Sequence, residues 1–589
     1  MQSAPQAAGR VAGSRGATLA TIAILLLLCW LAFFQGLGDL GLTDKTEALF
    51  VEVAREMLER GDAVTPWWNG ERFFDYPVWG YWMVAGSLRL FGISAWAARL
   101  PVALAASAVV VAAFALVLSW PTEPEPARRR VGRALLAAGV LATTPGWIGW
   151  GRIATTDMFL SSAITLALFS FLLAHRHGER PLALHLGRMG FALFAAVAVL
   201  AKGPVGLLLP GLVIVAFLSL TGQWRRWRQP GPLVAMAALF AAVCVPWYAA
   251  ATQANGTVFL EGFLGFSNLQ RFTNVLYRHP GPPWFYLPWV LLLLLPWSLF
   301  LPAALANLRF WHWPTWRRAA REPGLELPLF LLLWLVLMVA FFSAAATKLM
   351  GYILPAVPAG SLLVALWWKP LSPGPAPAGV RALALSGLAD ALVLALLTAA
   401  AVMAPRWAAN DPAHPGFAAA LSASGLPLRL ALLLALTTLT TAVLWLRPSR
   451  RSALWAPNLV GFLAILALVI APLAPLLDRE RQLPIRQLAR SAREAARPAE
   501  PLWVVGSKRY SVLFYGGETA VFLSGRGELD DLLREDPGDL GLDPATGSVR
   551  LIGDRRDLED LGLAPTAIQR LSIRGEQELW RVRREDLRS

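Results

Sequence analysis

Apolar residues in this chain come in long blocks, not in alternation with polar ones. Blocks near the about 20 residues that cross a bilayer fall at 17–36, 96–119, 134–150, 157–174, 189–201, 204–221, 231–251, 285–307, 327–344, 352–368, 382–404, 427–446 and 455–477. They predict thirteen transmembrane helices, with 189–201 the shortest. The first has an apolar core too long for a signal peptide. No small-x-small cleavage site follows at Phe33–Asp39, so a retained anchor is expected. From Asp478 the pattern breaks into short mixed segments. Leu502–Val505 and Ser511–Tyr515 read as strands, and Ile485–Ala496 as a helix with arginines on its polar face. The expected architecture is an all-α polytopic membrane protein. It has a tail at 1–16, a membrane domain at 17–477 and a small α/β domain at 478–589.

Composition agrees. Of 589 residues, 56% are hydrophobic and 15% charged, against about 25% charged in soluble domains. This excludes a soluble multidomain enzyme, a disordered scaffold and a fibre. The net charge is +15, and its location decides its meaning. Arg10 and Arg15 precede the first span. Arg128–Arg130 with Arg133, Arg176 with Arg180 and Arg188, and Arg225 with Arg226 and Arg228 occupy alternate loops, as do Arg309, Arg317, Arg318 and Arg321. Lys369 and Arg381, then Arg447, Arg450 and Arg451, continue the series. The positive-inside rule then sets the N-terminus in the cytoplasm and, with an odd number of spans, the C-terminal domain outside. That domain has a net charge of −1, so the basic surplus is a topology signal and no nucleic-acid partner is expected. Cys29 and Cys244 lie in apolar runs and read as buried small hydrophobes, with no disulfide framework or metal-site spacing.

Three outward-facing segments carry more than a short loop needs. The first, Leu37–Ala95, contains an amphipathic helix with Leu49, Phe50, Val53, Ala54, Met57 and Leu58 on its apolar stripe. Glu52, Glu56 and Glu59 form its polar side, and Gly61 stops it. Such a helix would lie flat on the membrane surface. Asp44 and Glu47 before it have the spacing of a helix N-cap with its capping-box glutamate, and would equally serve as catalytic carboxylates. An aromatic cluster follows, Trp67-Trp68 through Phe73-Phe74-Asp75-Tyr76-Pro77 to Tyr81-Trp82, of the kind that anchors at a membrane boundary or lines a sugar or prenyl site. In the second segment, Gly151–Met158, Asp157 heads a membrane helix, where the helix dipole favours a carboxylate and capping alone would account for it. Third, Lys202 and Lys348, two of only five lysines, sit at outer ends of spans. Snorkelling anchors explain one such residue better than two. The loop after the seventh span adds Glu261, Asn268, Arg271, Arg278 and His279; a lone His279 beside Pro280 reads as a solvated loop residue.

One chemistry that would use surface carboxylates, cations at the lipid level and an aromatic-lined cavity is sugar transfer from a polyprenyl-phosphate donor. The leaving phosphate needs cations near the headgroup plane, and the acceptor hydroxyl needs a carboxylate base. The landmarks, in order, resemble the integral-membrane GT-C glycosyltransferases, specifically the aminoarabinose lipid A transferases and the bacterial protein mannosyltransferase group. The matching pieces are Asp44-x-x-Glu47, Ala54-Arg55-Glu56-Met57, Gly61-Asp62-x-x-x-Pro66-x-x-Asn69-Gly70, Phe74-Asp75-x-Pro77, Tyr81-Trp82 and Trp96-Ala97-x-Arg99-Leu100-Pro101. Further pieces are Arg152-x-x-x-x-Asp157-Met158, Lys202-Gly203-Pro204, Arg271-Phe272, Pro296-Trp297-Ser298 and Ser343-x-x-x-x-Lys348-x-x-x-Tyr352. In the tail, Tyr510-x-x-x-x-Tyr515 is similar to the family's strand motif.

The resemblance implies the GT-C fold, an outward-facing site on the plasma (inner) membrane, and a polyprenyl-phosphate sugar donor with membrane lipids around it. The acceptor would be a lipid, glycan or protein. Carried over, Asp44 is the leading base, with Glu47 and Asp157 in support. Lys202, Arg271 and Lys348 would hold phosphate, with Asp75, Tyr76, Arg72, Tyr81 and Tyr352 lining the substrate site; no metal or other cofactor is expected. Two positions depart from the family pattern. Thr46 stands where a further acid often precedes the glutamate, and Tyr76 stands where the family has a lysine that contacts donor phosphate. Arg72 or another cation would then substitute, or the donor would bind differently, or activity would be reduced. The competing readings are a secondary transporter, which should show internal repeats and midplane charges, and a catalytically impaired member of the same fold.

Overall fold

The computed structural model describes residues 4–120, 125–225, 227–270, 273–274, 280–306, 308, 310–319, 322–368, 380–410, 416–534 and 547–588. Every predicted span has a helical counterpart. Among the described residues ten helices are long and apolar enough to cross a membrane, or up to twelve if each of two bent pairs is one span. The bent pairs are α5 (Ala127–Ala142) with α6 (Pro145–Gly151), at 65°, and Tyr286–Leu293 with Trp297–Ala306, at 108°. A further helix, α9 (Val205–Thr221), is shorter than the ten. The protein is thus a multi-pass membrane protein. The segment expected to be shortest, at 189–201, belongs to a full-length helix, α8 (Pro181–Lys202), which Leu182 and Leu186, one turn apart, extend with exposed apolar surface past His185 and Arg188.

Helix burial separates a centre from a rim. In α7 (Thr156–Arg176), 83% of the most apolar window is buried inside the protein, against 11% for Pro230–Phe263. Both α7 and α8 run close together, and α7 also packs on α4 (Ala95–Ser119). A residue in the first turn of α7 therefore stands on a helix surrounded by the rest of the protein.

In the first long loop, α2 (Thr46–Arg60) is the expected amphipathic helix, and Gly61 ends it with a φ of 66°. Its polar side is largely covered. Glu52, Arg55 and Glu56 are buried, with the tail helix Ser511–Gly516 and the first loop packed on α2, while Glu59 stays half exposed. Glu47 is buried against Arg99 and the loop before α7. Glu52 bonds Arg55, which also pairs with Glu59. Burial of Glu52, only partly offset by Arg55, pushes its carboxyl up to about 7. The capping box does not form either. Lys45 is the N-cap residue without a side-chain cap bond, and Asp44 and Glu47 point elsewhere.

The C-terminal domain is a five-stranded mixed sheet of order β4-β3-β5-β7-β6, where β3 is Leu502–Val505, β4 Ala520–Leu523, β5 Ser548–Asp554, β6 Ile568–Arg574 and β7 Gln577–Arg583. The helix expected at 485–496 is present as Leu483–Glu494 and continues from the last membrane helix, so that Trp455–Glu494 is one helical run. Ser511–Tyr515, expected as a strand, lies in a short helix, Ser511–Gly516, which Gly517 ends with a φ of 67°. The four apolar or aromatic residues after Ser511 fit a buried strand and a buried helical turn equally well, and Val512, Leu513 and Phe514 are buried in the turn.

Candidate active site

Four of the expected residues converge where α7 begins and α8 ends. Asp157, in the first turn of α7, pairs with Lys202, the last residue of α8. Thr155 is the N-cap of α7 and makes no side-chain cap bond. The Lys202 ammonium lies between two aromatic faces, 5.5 Å from the Tyr76 ring and 4.7 Å from the Tyr352 ring. Such contacts add roughly 0.5–2 kcal/mol each to holding a cation in place. Asp157 and Lys202 keep 19% and 12% of their side-chain surfaces open, so a ligand can reach the pair.

The walls leave hydrogen-bonding capacity unspent. The hydroxyls of Tyr352 and Tyr81 are buried and have no partner among the described residues. Tyr81 stacks on Phe50 at 4.7 Å, and burial pushes its phenol well above its ordinary 10.0, with Asp75 and Tyr76 adding to the shift. Gly351 lets the backbone approach closely: a Cβ there would lie 2.6 Å from Asp157 Oδ2 and 3.0 Å from Trp150 Nε1, so a larger residue would displace the carboxylate. Neither Trp150 nor Gly351 was expected in the site, since only their approach across the fold reveals them.

The remaining expected residues are placed differently. Glu47 is fully buried and saturated. Its Oε1 accepts Arg99 Nε at 2.7 Å and the Ala154 N–H at 2.9 Å. Its Oε2 accepts Arg99 Nη2 at 2.8 Å, with the N–H and Oγ1 of Thr43 at 2.9 Å each. Burial opposes its ionised form, yet Arg99 and these donors outweigh it and hold the carboxyl below its ordinary range. Arg99 spends its other donors on the carbonyls of Leu37, Leu40 and Gly41. This pair pins the first loop to α4 and to the loop before Asp157, and offers a substrate nothing. A lone arginine in the apolar block at 96–119 is the signal that could have foretold a buried partner.

Asp44 is also engaged on both oxygens, Oδ1 by the Ser511 N–H and Oδ2 by Ser511 Oγ, each at 2.8 Å. Burial pushes its carboxyl up, partly offset by those bonds. Lys348 donates to the carbonyls of Ser343 and Ala345 at 2.8 and 2.6 Å, capping the end of helix Pro323–Ala344, and stands 5.9 Å from the Tyr286 ring. Arg72 is exposed and lies over the Trp67 ring, not against Tyr76. Asp75 lies beside Tyr81. Arg271, Arg278 and His279 fall outside the described residues. Among the described residues no three His, Cys, Asp or Glu side chains are grouped to hold a metal ion.

Comparison with known proteins bears on this geometry. A family model described as dolichyl-phosphate-mannose-protein mannosyltransferase matches residues 75–249, the stretch from Asp75 past Lys202. The undecaprenyl phosphate-alpha-4-amino-4-deoxy-L-arabinose arabinosyl transferase of Pseudomonas aeruginosa strain UCBPP-PA14 is 32% identical over 336 residues, 57% of each chain. That of Aeromonas salmonicida is 32% identical over 379 residues, 64% of this chain and 65% of the relative. The chain thus spans less than two thirds of the length of the curated relatives it matches. Among solved structures, ArnT from Cupriavidus metallidurans bound to undecaprenyl phosphate superposes with a TM-score of 0.73 at 22% identity, covering 96% of this chain and 98% of that one. The oligosaccharyltransferase AglB from Archaeoglobus fulgidus, in complex with an inhibitory peptide and a dolichol-phosphate, gives 0.51 at 12% identity, covering 92% and 70%. The expected GT-C fold is borne out.

Proposed function

We propose, from the premise that this chain has the GT-C fold of these transferases, that it moves a sugar from a polyprenyl-phosphate donor to an acceptor hydroxyl at the outer face of the inner membrane. The observation that carries the reading is the Asp157–Lys202 pair between two tyrosine rings, inside the stretch matched by the mannosyltransferase family model. Support for the donor comes from relatives named for undecaprenyl-phosphate aminoarabinose transfer and from the fold shared with a protein solved with undecaprenyl phosphate. Arginine-rich alternate loops support a cytoplasmic N-terminus and an outward C-terminal domain. The acceptor is a lipid, glycan or protein; the relatives' names specify the donor, and the family model's description names a protein acceptor.

One lysine serves two anions in this mechanism. Without donor, Asp157 neutralises Lys202. When the donor phosphate enters, Lys202 turns its charge to the phosphate, and the partnerless Tyr352 hydroxyl is placed to donate as well. Asp157 is then released to take the acceptor proton. The acceptor oxygen forms its bond to the anomeric carbon as the bond from that carbon to the phosphate oxygen breaks. The electron pair leaves with the polyprenyl phosphate, whose growing charge Lys202 stabilises. Attack opposite the leaving group inverts the anomeric centre.

A second reading, donor binding without transfer, is favoured by one set of facts: Asp44 and Glu47 have no uncommitted oxygen, and Tyr76 brings a ring where a cation was expected. Incubation of the purified protein with a radiolabelled polyprenyl-phosphate sugar and a membrane extract separates the two. Label transfer lost in Asp157→Asn supports the transferase. Donor binding with no transfer by wild type supports the second reading.

A further inference from the structure

We infer that Asp44 and Asn69 clamp the C-terminal domain onto the first outer loop, and that this clamp positions the Phe73–Tyr76 segment against Lys202. The inference rests on the proposed function only where turnover is concerned.

Asn69 sits at the tip of a two-residue-per-strand hairpin, β1 (Trp67–Trp68) and β2 (Glu71–Arg72), with a φ of 54°. Its amide makes the pair of bonds a neighbouring strand would make. Nδ2 donates to the Ala520 carbonyl and Oδ1 accepts the Ala520 N–H, both at 2.9 Å. Ala520 begins β4, an edge strand, so the side chain occupies an otherwise open sheet edge. Beside it, Trp68 stacks on Phe522 and meets Tyr510 edge-on, packing against both the membrane-domain core and a tail core. On its other side the hairpin is tied to α2, where Glu56 accepts the Gly70 N–H at 3.0 Å.

Asp44 supplies the second attachment at the other end of the loop. Its carboxylate caps the first turn of helix Ser511–Gly516 from outside, where N–H groups are unpaired. Nearby, the Leu42 N–H donates to the Tyr515 hydroxyl at 2.8 Å, and Asp478 joins the Gly41 N–H to Arg486. The clamp matters to chemistry because of reach. Tyr76 is four residues beyond Arg72, at most about 14 Å of extended chain. A hairpin released from the tail would carry Tyr76 off the Lys202 ammonium.

The test exploits what each substitution keeps. In Asp44→Asn the amide Oδ1 still accepts from the Ser511 N–H and Nδ2 can donate to Ser511 Oγ, so the clamp survives without charge; Asp44→Ala loses both bonds. In Asn69→Gly the φ is kept and both bonds are lost. Full-length protein in nanodiscs is titrated with undecaprenyl phosphate and, separately, assayed for label transfer. Expected are an Asp44→Asn Kd within about threefold of wild type, and Kd and KM raised about five- to tenfold in Asp44→Ala and Asn69→Gly with kcat changed less than about threefold. Equal effects of Asn and Ala at position 44, or an unchanged Kd in Asn69→Gly, overturn the clamp. If Asp44→Ala does not fold, Ser511→Ala, which deletes one bond, should raise Kd about two- to threefold, and no change counts against it. If wild type transfers nothing yet the Kd order holds, the clamp stands and the transfer reading falls.

Discussion

Two carboxylate–cation pairs lie near each other at the start of α7 and do opposite work. Glu47–Arg99 is closed: both side chains are at most 4% exposed, and the carboxylate oxygens and guanidinium donors are spent on named partners. Asp157–Lys202 is open, with a fifth to an eighth of each side chain exposed, rings on the cation, and unpartnered phenols nearby. Saturation makes a buried ion pair a staple. An incompletely satisfied pair can exchange partners with a ligand. Conserving charge type says nothing about which of the two a pair is; counting its hydrogen bonds does.

The largest way to break this contrast is to strip the closed pair. Arg99→Ala leaves Glu47 buried and uncompensated, and stability should fall by about 3–5 kcal/mol, read by tryptophan-fluorescence unfolding in detergent; a normal unfolding curve would deny the pair its role. Stripping the open pair should do the reverse. Asp157→Asn and Lys202→Ala should lower label transfer about 10²- to 10³-fold while melting close to wild type; a collapse in melting would make this pair a staple too. Gly351→Ala sharpens the comparison by pressing a methyl on Asp157, and should cost between about ten- and a hundredfold in transfer through misplacement alone.

The smallest effect is pH dependence. Glu47 is held below its ordinary 4.5, so its stabilisation is present above that value and is lost as pH falls below it, at about 1.4 kcal/mol per unit. Asp44 is shifted upward from 3.8, so its contribution runs the other way, weakening as pH rises through that range. Melting of wild type should therefore drop on acidification below pH 4.5, and Glu47→Gln should flatten the drop; an equal drop in both would remove Glu47 as its source.

Hydropathy made the membrane domain legible, because each span announces itself locally. Its two pairs were only half legible. Asp157 and Lys202 stood out as charges at span ends, but their partnership joins residues 45 apart in sequence, and Glu47 and Arg99 are 52 apart. The aromatic run at 67–82 was visible as a cluster; that Trp68 and Asn69 serve the tail while Tyr76 serves Lys202 depends on β4, more than 400 residues later. The polar side of α2 looked solvated for the same reason. Nothing near residue 52 says that a domain beginning at 478 will cover it, and the D-x-x-E spacing of a capping box was overridden when Ser511 and Arg99 made stronger claims on its two acids.

The division of labour between the pairs is tested most directly by titrating undecaprenyl phosphate into purified wild type and Lys202→Met in nanodiscs, with melting recorded on the same samples. The account predicts that Lys202→Met melts like wild type and binds at least about tenfold more weakly. Unchanged binding by a folded Lys202→Met would contradict it.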